Sequence, residues 1–178
     1  MIKYLFFIFQ LITFHSIAQY YSPVDNGSSI KFEIGNLGFD VDGTFKALKG
    51  KMMFNEKDLA SSSFHVTVNA STINTENNTR DKHLKGESYF YVSRYPLITI
   101  VSTKLAKSTT PGYYVFFGKV TIKDKTQDIS FPFTVTPIGD AYRFKGEFKI
   151  KRRDFTLGGK NAISNELKVK LDVLTKKN

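Results

Sequence analysis

The chain has 178 residues, a formal net charge of +10 and no cysteine, and 15% of it is aromatic. Without cysteine there is no disulfide staple, thiol nucleophile or thiolate metal site, so a domain of this size must stand on its apolar core. The charge is uneven: residues 20–140 carry 14 basic and 12 acidic side chains and residues 141–178 carry 11 and 4, an excess that reads either as solvated strand faces or as a surface for anionic lipid, nucleic acid or an acidic partner.

The chain opens on Lys3, an apolar run from Leu5 to Ile12, and small residues at Ser16 and Ala18. That order reads as a secretory signal over residues 1–19, removed after Ala18. The run is too short to span a bilayer, which takes about 20 apolar residues. No later stretch is apolar enough to cross one, so the expectation is a soluble, periplasmic or secreted domain over residues 20–178.

From there period-two alternation dominates. Ile30, Phe32 and Ile34 face away from Lys31 and Glu33; Phe64, Val66, Val68 and Ala70 alternate with His65, Thr67 and Asn69. The pattern repeats at Ile129–Val135, Phe144–Ile150 and Leu167–Val173. Each of these predicts a strand with one wet and one buried face. Segments 41–54, 97–106 and 112–123 predict strands with less clean faces. Turn residues separate them, as at Asn26-Gly27, Pro111-Gly112 and Gly158-Gly159. One polar stretch, Asn77 to Ser88, predicts a turn or two of helix, with Asn78 and Thr79 as N-cap candidates and Gly86 near its end. Eight one-sided strands bury their faces by closing into a barrel or by packing as two sheets; alternation leaves both open.

The core is rich in rings: 17 Phe and 9 Tyr, with no Trp. Small inward residues (Gly146, Ala70 and Gly118) leave room beside them. An apolar tunnel walled by these rings accepts a hydrocarbon ligand by burial alone, at about 25 cal/mol per Å². The alternative is a dry core. Strand parity places Phe32, Ile34, Phe45, Phe54, Val66, Val68, Tyr89, Phe90, Ile100, Tyr114, Phe116, Phe131, Phe133, Phe144, Phe148 and Leu171 as candidate ligand-binding residues.

Catalysis finds little support in the sequence. Asp81 and His83 form the one acid–base pair, and the structural reading, a charge at a helix start beside turn-bonding neighbours, outweighs a general base. No nucleotide-binding loop, serine-hydrolase elbow or metal-ligand spacing occurs. Arg152 and Arg153 could hold an anionic headgroup as bidentate donors, or pin the turn through Asp154. Rings and charges alternate onto opposite faces, which argues against nucleic-acid binding.

A series of short pieces follows a defined order. Val24-Asp25-Asn26-Gly27-Ser28-Ser29-Ile30 opens the domain, followed by Gly43-Thr44-Phe45 and Gly50-Lys51-Met52-Met53-Phe54. Then come Ile73-Asn74-Thr75, Arg80-Asp81-Lys82-His83-Leu84, Tyr89-Phe90, Tyr95-Pro96, Phe131-Pro132-Phe133 and Arg153-Asp154-Phe155. From about Val24 to Val173 the series resembles the YceI-like family of exported polyisoprenoid-binding proteins. It departs at Gly27 or Ser28, where the family often has His, and at Tyr91 and Asp124. The resemblance implies an all-β, eight-stranded antiparallel, lipocalin-like barrel with a short helical insertion near one mouth. It also implies a carrier, needing no cofactor or metal, that binds an isoprenoid quinone or polyprenyl phosphate as its partner. Transient contact with an anionic membrane surface is a further expectation; the sequence gives no oligomeric state. The competing reading is an enzyme using Asp81 and His83 on a bound apolar substrate.

Overall fold

Alternation becomes strand pairing along most of the chain. The computed structural model describes residues 19–160 and 162–178, so the expected signal segment, Gln19 apart, lies outside the described residues. The strands are β1 (Tyr21–Pro23), β2 (Ser29–Asn36), β3 (Phe39–Met53), β4 (Ser63–Asn74), β5 (Leu97–Lys107), β6 (Tyr113–Ile122), β7 (Lys125–Ile138), β8 (Ala141–Lys151) and β9 (Ile163–Lys177). Among the described residues a single α-helix, α1 (Asn78–Lys85), joins β4 to the loop before β5.

Neighbours from β2 to β9 pair antiparallel in sequence order, and β9 returns to pair with β2, Phe32 opposite Val169. The sheet is therefore an eight-stranded closed barrel, and the two-sheet alternative is excluded. Closure removes most open edges, although β7 and β8 pair only from Phe133 with Gly146 to Ile138 with Ala141 and part beyond that. Strand β1, at three residues, is too short for alternation to reveal it. It fills the gap where β3 and β9 diverge, pairing Tyr21 with Met52 and with Lys177. Tyr21 is buried there, its ring edge-on to Tyr142 at 5.0 Å.

Several of the short pieces hold this frame. The Asp25 carboxylate accepts from the N–H groups of Ala47 and Leu48 at 2.9 and 2.7 Å, fixing a bulge at which Ala47 takes φ 60°. Ser28 Oγ accepts from the Leu174 N–H at 2.9 Å, tying the start of β2 to β9. The N-cap of α1 is Asn77, whose side chain accepts from the Arg80 N–H; the expected caps, Asn78 and Thr79, lie inside the helix.

One end of the barrel is solid. Phe54 packs edge-on against Tyr114, Tyr142 and Phe144 at 5.3–5.7 Å, and Phe64 meets Phe144 at 5.1 Å. Edge-to-face pairs at such distances add to simple burial. The other end carries the β2–β3 turn, α1 and the loop between β8 and β9.

Candidate functional site: a blind apolar pocket

Above the ring plug the barrel is hollow. The cavity is about 210 Å³ and is lined almost wholly by apolar side chains of β2 to β9, of α1 and of the loops beside it. An apolar cavity of roughly 150 Å³ already stays dry and takes up benzene. One wall is a stack of three rings: Phe131 lies between Phe116 and Phe148, with centroids 4.8 and 4.9 Å away and planes within 22°. Ile34, Val41, Ile100, Val169 and Leu171 contribute an aliphatic wall. Phe64, Phe133 and Phe144, which also belong to the plug, form the floor.

Of the residues placed by parity, Phe32, Ile34, Phe45, Val66, Val68, Ile100, Phe116, Phe131, Phe133, Phe144, Phe148 and Leu171 line this cavity. Tyr89 and Phe90, from the loop after α1, line it too. Phe90 meets Phe45 edge-on at 5.5 Å. Phe54 and Tyr114 do not line it: both point inward but sit lower, in the plug. The interior is thus a blind pocket rather than a tunnel. Sequence reasoning missed Ile98, Leu167 and Val169, although their parity matches that of Ile100 and Leu171. It also missed Leu84 and Leu157, which reach the cavity from the helix and from a loop, where period two says nothing.

The inward glycines do not provide the free space. Gly146 is roofed by Phe131: a β-carbon there would lie 2.8 Å from Phe131 Cε2. At Gly43 it would meet the Phe32 ring at 2.1 Å, and at Gly118 the Phe116 ring at 2.5 Å. Each glycine is a bed for an aromatic ring, the arrangement known as aromatic rescue of glycine in sheets.

Asp81 and His83 do not act together. The buried Asp81 carboxylate accepts from the Thr75 N–H at 2.9 Å and the Thr75 hydroxyl at 2.6 Å. Arg80 donates to Thr75 Oγ1 and to the Thr75 carbonyl, so the Arg80–Asp81 pair clamps the end of β4 to α1. His83 is exposed and lies edge-on to the Tyr89 ring at 5.0 Å. Both bonds fall on Oδ1, and no hydrogen bond joins Asp81 to His83. Among the described residues no cluster of His, Asp or Glu is arranged to hold a metal ion.

Arg152 is only 2% exposed. Its guanidinium donates to the carbonyls of Leu157 (2.7 Å), Gly159 (3.1 Å), Ile163 (3.0 Å) and Ser164 (2.9 Å). Burial, and then the neighbouring Arg153, pull its pKa below the usual arginine value. This cation lines the cavity and pins the β8–β9 loop through backbone carbonyls, while Arg153 is exposed and outside the cavity wall. Four lysines of the basic C-terminal third are paired: Lys145 with Asp172, Lys149 with Glu166, and Lys168 and Lys170 with Glu33. Donation from Lys170, with the Lys168 charge, holds the Glu33 carboxyl below its ordinary pKa.

The model of the YceI-like domain covers residues 21–174. The chain belongs to the YceI-like family. A UPF0312 protein of Yersinia pestis is 31% identical over 135 residues, which cover 72% of this chain and 69% of that protein. One from Yersinia enterocolitica is 30% identical over the same length. Among solved structures, BcnA of Burkholderia cenocepacia superposes with a TM-score of 0.81 at 23% identity, covering 86% of this chain and 99% of its own. A polyisoprenoid binding domain from Saccharophagus degradans gives a TM-score of 0.70 at 13% identity, covering 89% and 98%. At such identities the likeness is one of fold, and it makes this YceI-like chain a lipocalin-like barrel.

Proposed function

We propose that this YceI-like chain is a non-catalytic carrier that takes the hydrocarbon tail of an isoprenoid lipid, such as a quinone or polyprenyl phosphate, into its blind pocket. The observation that carries this reading is the pocket itself, hollow and apolar inside a barrel whose other half is packed solid with rings. A methyl-branched chain entering it gains by removing apolar surface from water and needs no polar anchor on the wall. The Saccharophagus degradans domain of the same fold is described as polyisoprenoid-binding, which supports the ligand class. Export to the periplasm or beyond, directed by residues 1–19, is part of the same proposal.

The test is organic extraction of purified protein followed by mass spectrometry, with a variant that fills the pocket. Val169 lines the cavity between Phe32 and Phe148 on its neighbouring strands. Val169→Trp should fold and lose most of the extracted prenyl lipid. Lys149→Leu, outward on β8, should keep it at the cost of one exposed ion pair, worth about 0–1 kcal/mol. If wild type carries no lipid after exposure to prenyl lipids, the carrier reading is wrong. If the lipid is chemically altered on incubation, the enzyme reading replaces it.

A further inference from the structure

The turn joining β2 to β3 is Asn36-Leu37-Gly38-Phe39, closed by pairing of Asn36 with Phe39. Leu37 has φ 53° and Gly38 φ 86°. Two successive positive φ angles make a hairpin turn that favours Asn-Gly, and leucine occupies its first central position at a steric cost asparagine avoids. Leu37 is 73% exposed and Phe39 77%, the two most exposed large apolar side chains among the described residues. A strained, exposed leucine beside an exposed phenylalanine has no folding rationale.

Their position supplies one. Phe39 continues the inward-facing row of β3 that runs through Val41, Gly43 and Phe45; Val41 and Phe45 line the cavity, as does Asn36 opposite Phe39. The apolar wall therefore runs up from the pocket, over the rim and out into water. The ladder from Ile30–Phe45 to Asn36–Phe39 holds the turn in place, so it does not fold inward as a lid. A second copy of the chain is a poor occupant, because stable interfaces bury about 800 Å² per partner and a two-residue turn offers far less. Asp40 and Asp42 flank the turn, which disfavours attraction to anionic headgroups.

We propose that this turn is a membrane-docking tip. Leu37 and Phe39 enter the interfacial region of a bilayer, whatever its headgroup charge, and set the pocket mouth against the acyl chains. A lipid then passes between bilayer and barrel along Phe39 and Val41 without crossing water. The inference rests on the lipid-carrier reading and adds to it the surface from which the lipid is collected.

Sedimentation with phosphatidylcholine vesicles tests it, using residues 19–178, since the leading apolar run would itself enter vesicles and the described residues hold the whole closed sheet. Wild type should bind equally at low and high salt. Leu37→Asn with Phe39→Thr should lower the partition coefficient about tenfold or more, the loss expected when buried apolar side chains are removed. Leu37→Asn alone should melt at or above the wild-type temperature, so that weaker binding cannot be ascribed to unfolding. Farnesol added from ethanol should load wild type and variants alike. Wild type that ignores the vesicles, variants that bind as well as wild type, or a wild-type dimer that Leu37→Asn makes monomeric would each overturn the docking tip. Failure of wild type to take up farnesol, with tip-dependent sedimentation intact, would remove the pocket reading and leave the docking tip standing.

Discussion

Replacing Gly146 by alanine should destabilise the barrel, although glycine in a strand interior ordinarily costs about 0.5–1 kcal/mol relative to alanine. The added β-carbon would sit 2.8 and 3.0 Å from Phe131 Cε2 and Cδ2 and 3.3 Å from Phe133 Cβ. Phe131 cannot retreat along the stack, because its ring is held between Phe116 and Phe148. Overpacking of this kind costs about 1–3 kcal/mol. Taking the middle of each range, the net loss after the gain in strand propensity is about 1 kcal/mol, which lowers the melting temperature by roughly 2–4 °C. With no Trp in the chain, unfolding is best followed in urea by circular dichroism. The midpoint should fall by about 0.5 M at an m-value of about 2 kcal/mol/M. Phe131→Leu in the same background should relieve the clash, so that a double-mutant cycle shows a favourable coupling of about 1 kcal/mol. Unchanged or raised stability of Gly146→Ala, or a cycle with no coupling, would refute the idea that ring and glycine are fitted to each other.

Arg152→Met should cost at least about 3 kcal/mol by stranding buried carbonyls, while Arg153→Met stays within about 0.5 kcal/mol; equal melting temperatures would refute the pinning role. Asp81→Ala should cost about 1–3 kcal/mol by leaving the Thr75 N–H unpaired, and His83→Gln almost nothing, with extracted lipid unchanged in both. The Tyr114 hydroxyl, which donates to Glu56, has its pKa pushed up to about 12 from 10.0, by burial first and then by that carboxylate. The folded state favours the neutral phenol, so its contribution is complete below pH 10 and lost between pH 10 and about 12; Tyr114→Phe should remove the last tyrosinate step and blunt alkaline unfolding in that window.

Alternation revealed the strands whose outer face is wet, as in β4, β7, β8 and β9. It blurred at β3 and β5 for a local reason. In β3 the buried positions run Phe45, Leu48 and Met52, because a bulge at Ala47 shifts the parity. In β5 a register shift between Ser102 and Lys104 moves the buried side from Ile98 and Ile100 to Leu105. β6 keeps perfect parity through Phe116, Val120 and Ile122, but its outer face carries Tyr113 and Phe117, which hid the pattern. The site was legible to the same degree. Parity says which side chains point inward and nothing of their height, so Phe54 and Tyr114 were grouped with the wall although they belong to the plug. The motif residues Asp25, Ser28, Thr75, Arg80 and Asp81 proved to be clamps and caps, which is why the family resemblance gave the fold more sharply than the pocket.

The last strand is paired with the first ones. β9 bonds to β1 and β2 on one side and to β8 on the other, from Ile163 to Lys177. Until that final segment is present, β2 and β8 both end in open edges and the cylinder cannot close. Contacts so distant in sequence are slow to form, since loop-closure entropy must be overcome before they are rewarded. A growing chain of this design has no closed native barrel to fall into before β9 has been made.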